Sequence, residues 1–184
     1  MSPEENARLE QLSAEREADH GVIRDFLHAH SESLSDEDEG LLGHAKGGIK
    51  VRYAHGWVQT YCVCMSHSGR LIAKPNQEQN VGAISNCAEP FAINEADDQQ
   101  VIAETFVVVR QQRPDEGKDV HVVTPCGACR ERIAHHNPHA RVIIWLGGDY
   151  KCYRKIRIIY LLPMQYKIRI RPNGNGVSGH QFKS

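Results

Sequence analysis

The chain has 184 residues, 24% charged and 40% hydrophobic, with a formal net charge of −1. That suits one soluble globular domain with an extension, long enough for a real core. It excludes a membrane span, because no apolar run reaches spanning length, and a disulfide-dense scaffold, because six cysteines are too few.

The start, MSPEENARLE, lacks the basic-then-apolar pattern of an export signal, so a reducing, cytoplasmic setting is expected. Ser2, Pro3 and Glu5 form a helix-start signature, and a helix should run to about Ala18. Gly21 interrupts it, and Val22 to His30 reads as a second short helix. Ser31 to Gly40 is polar and acidic, a hinge, yet Ser35 and Asp38 repeat the capping pattern ahead of the apolar face of Leu41, Leu42 and Ala45. Strand-like runs follow at Trp57 to Met65 and Leu71 to Ala73, joined by the turn Ser66-His67-Ser68-Gly69 as a hairpin. Cys87 to about Glu104 reads as helix, Phe106 to Arg110 as a buried strand, and Val120 to Val123 as a short strand. Cys126 to His135 reads as helix, stopped by Pro138. Val142 to Leu146 and Tyr150 to Ile159 complete the strands. Strands alternating with helices predict a layered α/β fold.

Charge is unevenly spread. Residues 1–40 hold twelve Asp/Glu against three Arg, whereas residues 151–184 hold eight Lys/Arg and no Asp/Glu. Either these are two solvated faces, or the acidic arm docks on the basic C-terminal region of its own or a neighbouring subunit. The expected organisation is an N-terminal helical extension over 1–34, a catalytic domain over 35–172 and a tail over 173–184.

The chemistry concentrates in two short elements. Cys87-Ala88-Glu89 stands at a helix start, and Pro125-Cys126-Gly127-Ala128-Cys129 follows, with 39 residues from Cys87 to Cys126. Thiolates are good zinc ligands, and a CxxC at a helix N-terminus can aim both sulfurs at one ion. The helix ends favour thiolate over thiol. Three protein ligands leave a tetrahedral position open, the mark of a catalytic zinc rather than a structural one. Water in that position becomes hydroxide near neutral pH. Glu89, two residues from a ligand, is placed to take that proton and deliver it. A ligand-x-Glu element followed by PCxxC is the zinc-deaminase pattern. The competing reading is a closed site with Cys62 or Cys64 as a fourth thiolate. Their alternation about Val63 in a strand reads instead as two buried, apolar-like cysteines.

From Leu41 to Tyr166 these residues resemble the cytidine deaminase family of small, three-cysteine homotetramers. Besides the two cysteine elements, Asn76-Gln77-Glu78 is similar to the family's Asn-x-Glu, and Leu161-Leu162-Pro163 with Tyr166 to its LLPxx-aromatic ending. Ser68-Gly69-Arg70 stands where the family has an Asp-Gly-Arg hairpin. The resemblance implies a three-layer α/β fold, with a mixed five-stranded sheet flanked by helices. It also implies a homotetramer with one zinc per subunit and hydrolysis of cytidine or deoxycytidine in pyrimidine salvage. Cys87, Cys126 and Cys129 would hold zinc, and Glu89 would be the proton shuttle. Asn76 and Glu78 would hold the ribose, the Ala88 backbone would contact the pyrimidine, and the Thr124 carbonyl would receive the amine. Tyr166 would reach a neighbouring subunit's pocket.

The sequence departs from that family at several points. Pro90 stands where an Arg usually follows the CAE element. Asn80 to Asn86 lacks the usual aromatic and proline, and Gln59-Thr60 and Gly56 replace expected pocket residues. These changes bear on the substrate more than on the reaction, so a modified nucleoside of the blasticidin S type is the alternative. Deamination within RNA or DNA is disfavoured. Lys167, Arg169 and Arg171 could line one strand face, but a pI of about 6.8 and an acidic N-terminal region provide no broad basic footprint. A non-enzymatic zinc module would have no need of Glu89.

Overall fold

The computed structural model describes residues 11, 15, 20–53, 59–77, 86–112, 119–147 and 152–162. In chain order come α1 (residues 20–29), β1 (Ser31–Glu32), α2 (Asp36–Tyr53), β2 (Thr60–Ser66), β3 (Leu71–Pro75) and α3 (Ala88–Asp98). Then follow β4 (Ala103–Gln111), β5 (Val120–Val122), α4 (Gly127–His136), β6 (Arg141–Trp145), β7 (Tyr153–Arg157) and a 3-10 turn (Ile158–Leu161). Of the first expected helix only residues 11 and 15 are described, both helical. Trp57 and the 173–184 tail lie outside the described residues.

The strands form one sheet in the order β1-β7-β6-β4-β2-β3, with β5 added on β4. β4 and β6 run parallel, and the other pairs are antiparallel. The expected mixed sheet is present with seven strands. Five are the longer β2, β3, β4, β6 and β7, and the two-residue β1 and three-residue β5 are additions. Strand period 2 divides the core. Cys62, Cys64, Phe106, Val108, Val142 and Ile144 face one way, with α3 and α4. Tyr61, Val63, Met65, Val107, Val109 and Ile143 face the other way, with α2. Burying each such side chain contributes roughly 1.5–3 kcal/mol, which sets the strand registers firmly. Among the described residues, no helix is long and apolar enough to cross a membrane.

Gly48 permits a close approach of α2 to the sheet. A Cβ there would lie 2.5 Å from Cε1 of Tyr61, whose ring is buried. Gly69, at φ 78°, closes the β2–β3 turn, where its N–H donates to the Ser66 carbonyl.

Helix α3 ends earlier than its sequence suggests. Gln100 adopts φ 55°, Val101 N–H donates to Ala96 O, and Gln100 N–H donates to Asp97 O. This is a Schellman ending with glutamine in the left-handed position that glycine usually fills. Without the glycine, the sequence carried no stop signal.

Residues 31–38 of the acidic segment meet β6 and β7 of their own chain. β1 pairs with β7, and Glu32 meets Arg141 at 3.1 Å. Arg154 donates to Ser31 Oγ, Ser31 O and Ser33 Oγ. Ser35 and Asp38 make the expected reciprocal cap of α2, and Lys155 of β7 reaches Asp38 Oδ2 at 2.6 Å. Burial acts to raise the Asp38 pKa, but Lys155 and the Ser35 N–H and hydroxyl outweigh it and hold the carboxyl below its usual 3.8.

Gly43 has nothing within 4 Å of its added Cβ, so Gly43→Ala should stabilise the protein by up to about 1 kcal/mol. Gly48→Ala should destabilise it in the same denaturant titration, because Tyr61 must move. A folded-state pKa lowered at Asp38 means stability that is present above pH 4 and lost as pH falls through the folded value. Asp38→Asn should therefore cost about 2 kcal/mol at neutral pH. The difference from wild type should shrink below about pH 4.

Candidate metal centre

Helices α3 and α4 begin in the same way. Cys87 is the N-cap of α3 with φ −63°, ψ 160°, and Cys126 is the N-cap of α4 with φ −64°, ψ 166°. Cysteine is not a preferred cap, and neither helix has a side-chain capping hydrogen bond. Both first turns therefore direct N–H groups and positive potential towards sulfur. Pro90 sits in the first turn of α3, where its missing N–H is an orphan in any helix.

The third sulfur comes from Cys129, buried one turn into α4. The Sγ atoms of Cys87 and Cys126 lie 3.9 Å apart, and all three Sγ atoms are within 4.8 Å of one another. Sulfurs about 2.3 Å from a tetrahedral zinc are separated by roughly 3.8 Å, so the spacing fits that ion. Electrostatics support the same fit. Burial, followed by the Glu89 charge, raises the thiol pKa of Cys87 and of Cys129. Burial acts on Cys126 too, but the Cys129 N–H and the neighbouring thiols lower it on balance. Three thiolates crowded together are unfavourable alone, and a divalent cation relieves that crowding.

Among the described residues, this is the one cluster of three or more potential metal-binding side chains. Cys62 and Cys64 are not part of it. Both are fully buried on the α3/α4 face of β2. Burial pushes the Cys64 thiol up to about 12. Cys62 is pushed up by burial first, then by Cys64, Glu89 and Cys129. Cys62 is thus a neighbour of the site as a neutral thiol, a placement its alternating strand pattern did not reveal.

Glu89 is 3% exposed. Burial raises its pKa above the usual 4.5, partly offset by its own backbone N–H and the Cys129 thiol. Ala88 is buried beside it, while Asn86, Cys87, Thr124 and Cys126 are exposed and form the open side. Asn76 stands at the end of β3, and its Oδ1 accepts from the N–H groups of Gln59 and Thr60 at 3.1 and 2.9 Å. A ligand hydroxyl would therefore meet its amide nitrogen. The backbones of Gln77 and Asn86 exchange two hydrogen bonds, which brings the end of β3 to the residue before Cys87. Glu78 and Tyr166 lie outside the described residues, as do Asn80 to Ser85.

One contact has no motif to announce it. Arg130 donates from Nε to Pro125 O at 2.7 Å and from Nη1 to Leu161 O at 3.3 Å. Both acceptors are backbone carbonyls, invisible to side-chain patterning.

No family model matches the chain. Over 136 residues it is 30% identical to the blasticidin-S deaminase of Bacillus cereus, covering 73% of this chain and 95% of that protein. Its fold is similar to the crystal structure of a cytidine deaminase from Bacillus anthracis, with TM-score 0.59, 19% identity, and 70% and 88% of the two chains covered. The cytidine deaminase from Burkholderia pseudomallei is similar at TM-score 0.54 and 18% identity, covering 72% of this chain and all of that one. Fold and relative together define an enzyme of the hydrolytic deaminase class. The chain belongs to the family of the Bacillus cereus blasticidin-S deaminase, and it shares its fold with cytidine deaminases.

Proposed function

We propose that the protein is a zinc-dependent deaminase that hydrolyses the C4 amine of a cytosine nucleoside, yielding the uracil nucleoside and ammonia. The observation that carries this reading is the convergence of three Sγ atoms within 4.8 Å at two helix starts, with the buried Glu89 beside them. Cys87, Cys126 and Cys129 would hold one zinc per subunit. When bound, the ion supplies a Lewis acid that lowers the proton affinity of water.

The chain's own groups do the remaining work. Glu89 takes a proton from water and passes it to N3 of the ring as the hydroxide adds to C4, then takes the proton of the new C4 hydroxyl and delivers it to the departing amine. Its burial favours the protonated form, which suits a group that must both accept and give. The Ala88 backbone contacts the pyrimidine, and the Thr124 carbonyl receives the amine. Asn76 and Glu78 hold the ribose: an amide can donate to a hydroxyl, and a carboxylate can accept from one. With Oδ1 of Asn76 already engaged, its part is that of donor. Tyr166 closes a neighbouring subunit's pocket in a cytoplasmic homotetramer serving pyrimidine salvage.

A second substrate reading is a nucleoside antibiotic of the blasticidin S type. It is favoured by the relative at 30% identity and by the departures at Pro90 and Asn80 to Asn86. Both readings share the reaction and differ only in what the pocket holds beyond the cytosine ring.

An ultraviolet assay of zinc-replete protein with cytidine, deoxycytidine and blasticidin S tests the function. Loss of the cytosine chromophore with ammonia release is expected for at least one of them. Glu89→Gln should keep fold and zinc but lower turnover by about 10²–10⁴-fold. Equal turnover in that variant would remove Glu89 from the chemistry. For the metal, Cys126→Ala should lose zinc and melt at a lower temperature. Cys62→Ala should retain the full zinc content and lose only about 1 kcal/mol of core stability. Zinc loss in the Cys62 variant would mean a four-thiolate, closed site.

A further inference from the structure

Arg130 immediately follows the third cysteine, and its two hydrogen bonds join distant parts of the chain. Pro125 O, accepting at 2.7 Å, belongs to the peptide that leads into Cys126. Leu161 O, accepting at 3.3 Å, ends the 3-10 turn after β7. A guanidinium presents donors in a fixed plane and can hold two carbonyls at set directions, which a lysine ammonium cannot. The ligand loop is thus tied sideways to the C-terminal turn, in addition to its attachment to α4.

That turn is braced in its own right by the N-terminal arm. The ring of Tyr160, the residue before Leu161, is met edge-on by Phe26 with centroids 5.9 Å apart, and at a tilt by His30 at 4.8 Å. Phe26 and His30 stack on each other at 4.2 Å. His30 Nδ1 lies 2.8 Å from Phe26 O, which fixes the pair on one helix end. Leu27 packs against the same core that α3 and α4 cover. Contacts therefore run without a break from α1 through Tyr160, Leu161 and Arg130 to Pro125 and the ligand Cys126.

We propose that Arg130 is a positioning residue for the metal-ligand loop, and that the N-terminal helix acts on zinc affinity through it. This inference rests on the zinc reading of the site. The physical reason is geometric. A three-sulfur site binds well when its sulfurs are held at the separation that the ion requires, and the groups that orient ligands influence affinity nearly as strongly as the ligands themselves. Cys126 is the ligand at the loop-to-helix junction, so the direction of the Pro125 peptide sets the direction of its sulfur. Spatial adjacency alone does not establish coupling, and a double-mutant cycle measures it directly.

The experiment measures the zinc dissociation constant by chelator competition, together with the absorption of the cobalt-substituted protein and the melting temperature of each zinc-free form. Arg130→Lys, which keeps the charge and loses the two-carbonyl geometry, should weaken zinc about 10-fold and shift the cobalt–thiolate bands. Phe26→Ala should weaken zinc several-fold, and the double variant should be no weaker than Arg130→Lys alone. Val22→Ala, one turn earlier on the same helix and 71% exposed, should leave affinity unchanged. Wild-type zinc affinity in Arg130→Lys, or a change confined to the zinc-free melting temperature, overturns the positioning role. Additive effects in the double variant overturn the route through Arg130. A wild-type protein that binds no zinc overturns the metal reading itself, and this inference with it.

Discussion

The structure is organised around two helix N-termini that meet at sulfur. In most helices a serine, threonine, aspartate or asparagine satisfies the first N–H groups, but α3 and α4 each start with a cysteine that makes no such bond. The capping positions carry two of the three sulfurs that could hold a metal, and their side chains do not cap the helices. Their stability must come from the faces they bury, and both lie on the core made by the even-numbered residues of β2, β4 and β6. The sheet's strand period sets that core, and the core aims the two helices. The three Sγ atoms fall within 4.8 Å of one another as a result.

The same helices are held together at their far ends. His136, in the last turn of α4, receives the Ala103 N–H on Nε2 and faces Asp97 of α3 through Nδ1. Asn137 then donates to Ala103 O. A site built from two separate elements needs both ends fixed, because rotation about either helix would separate the sulfurs. The N-terminal arm adds a further restraint. It joins the sheet edge through β1 and ties α2 to β7 through Asp38 and Lys155. Through α1, it also rests on the turn that Arg130 links to the ligand loop.

Short-range information was fully legible. The capping pattern at Ser35 and Asp38, the Gly69 turn and the cysteine spacing each depend on residues a few positions apart, and local chemistry decides them. The end of α3 was not legible, because Gln100 adopts a left-handed conformation that its side chain does not advertise. The extra strand β1 was equally difficult, since two residues carry too little periodicity. Asn76 shows a different limit. Its type fits a ligand-binding role, yet its Oδ1 is engaged by the amides of β2, a contact between residues sixteen and seventeen positions apart.

By itself, the sequence determined the layered class, the alternation that buries each strand, and the identity of the three cysteines that could hold a metal. These follow from residue type and near-neighbour spacing. Only the tertiary structure decided how close the three sulfurs come, that Cys62 sits beside their cluster, and which carbonyls Arg130 reaches. Those outcomes depend on distances between elements far apart in the chain. Such distances are set by packing across the sheet and by backbone carbonyls, which have no identity in a string of side chains.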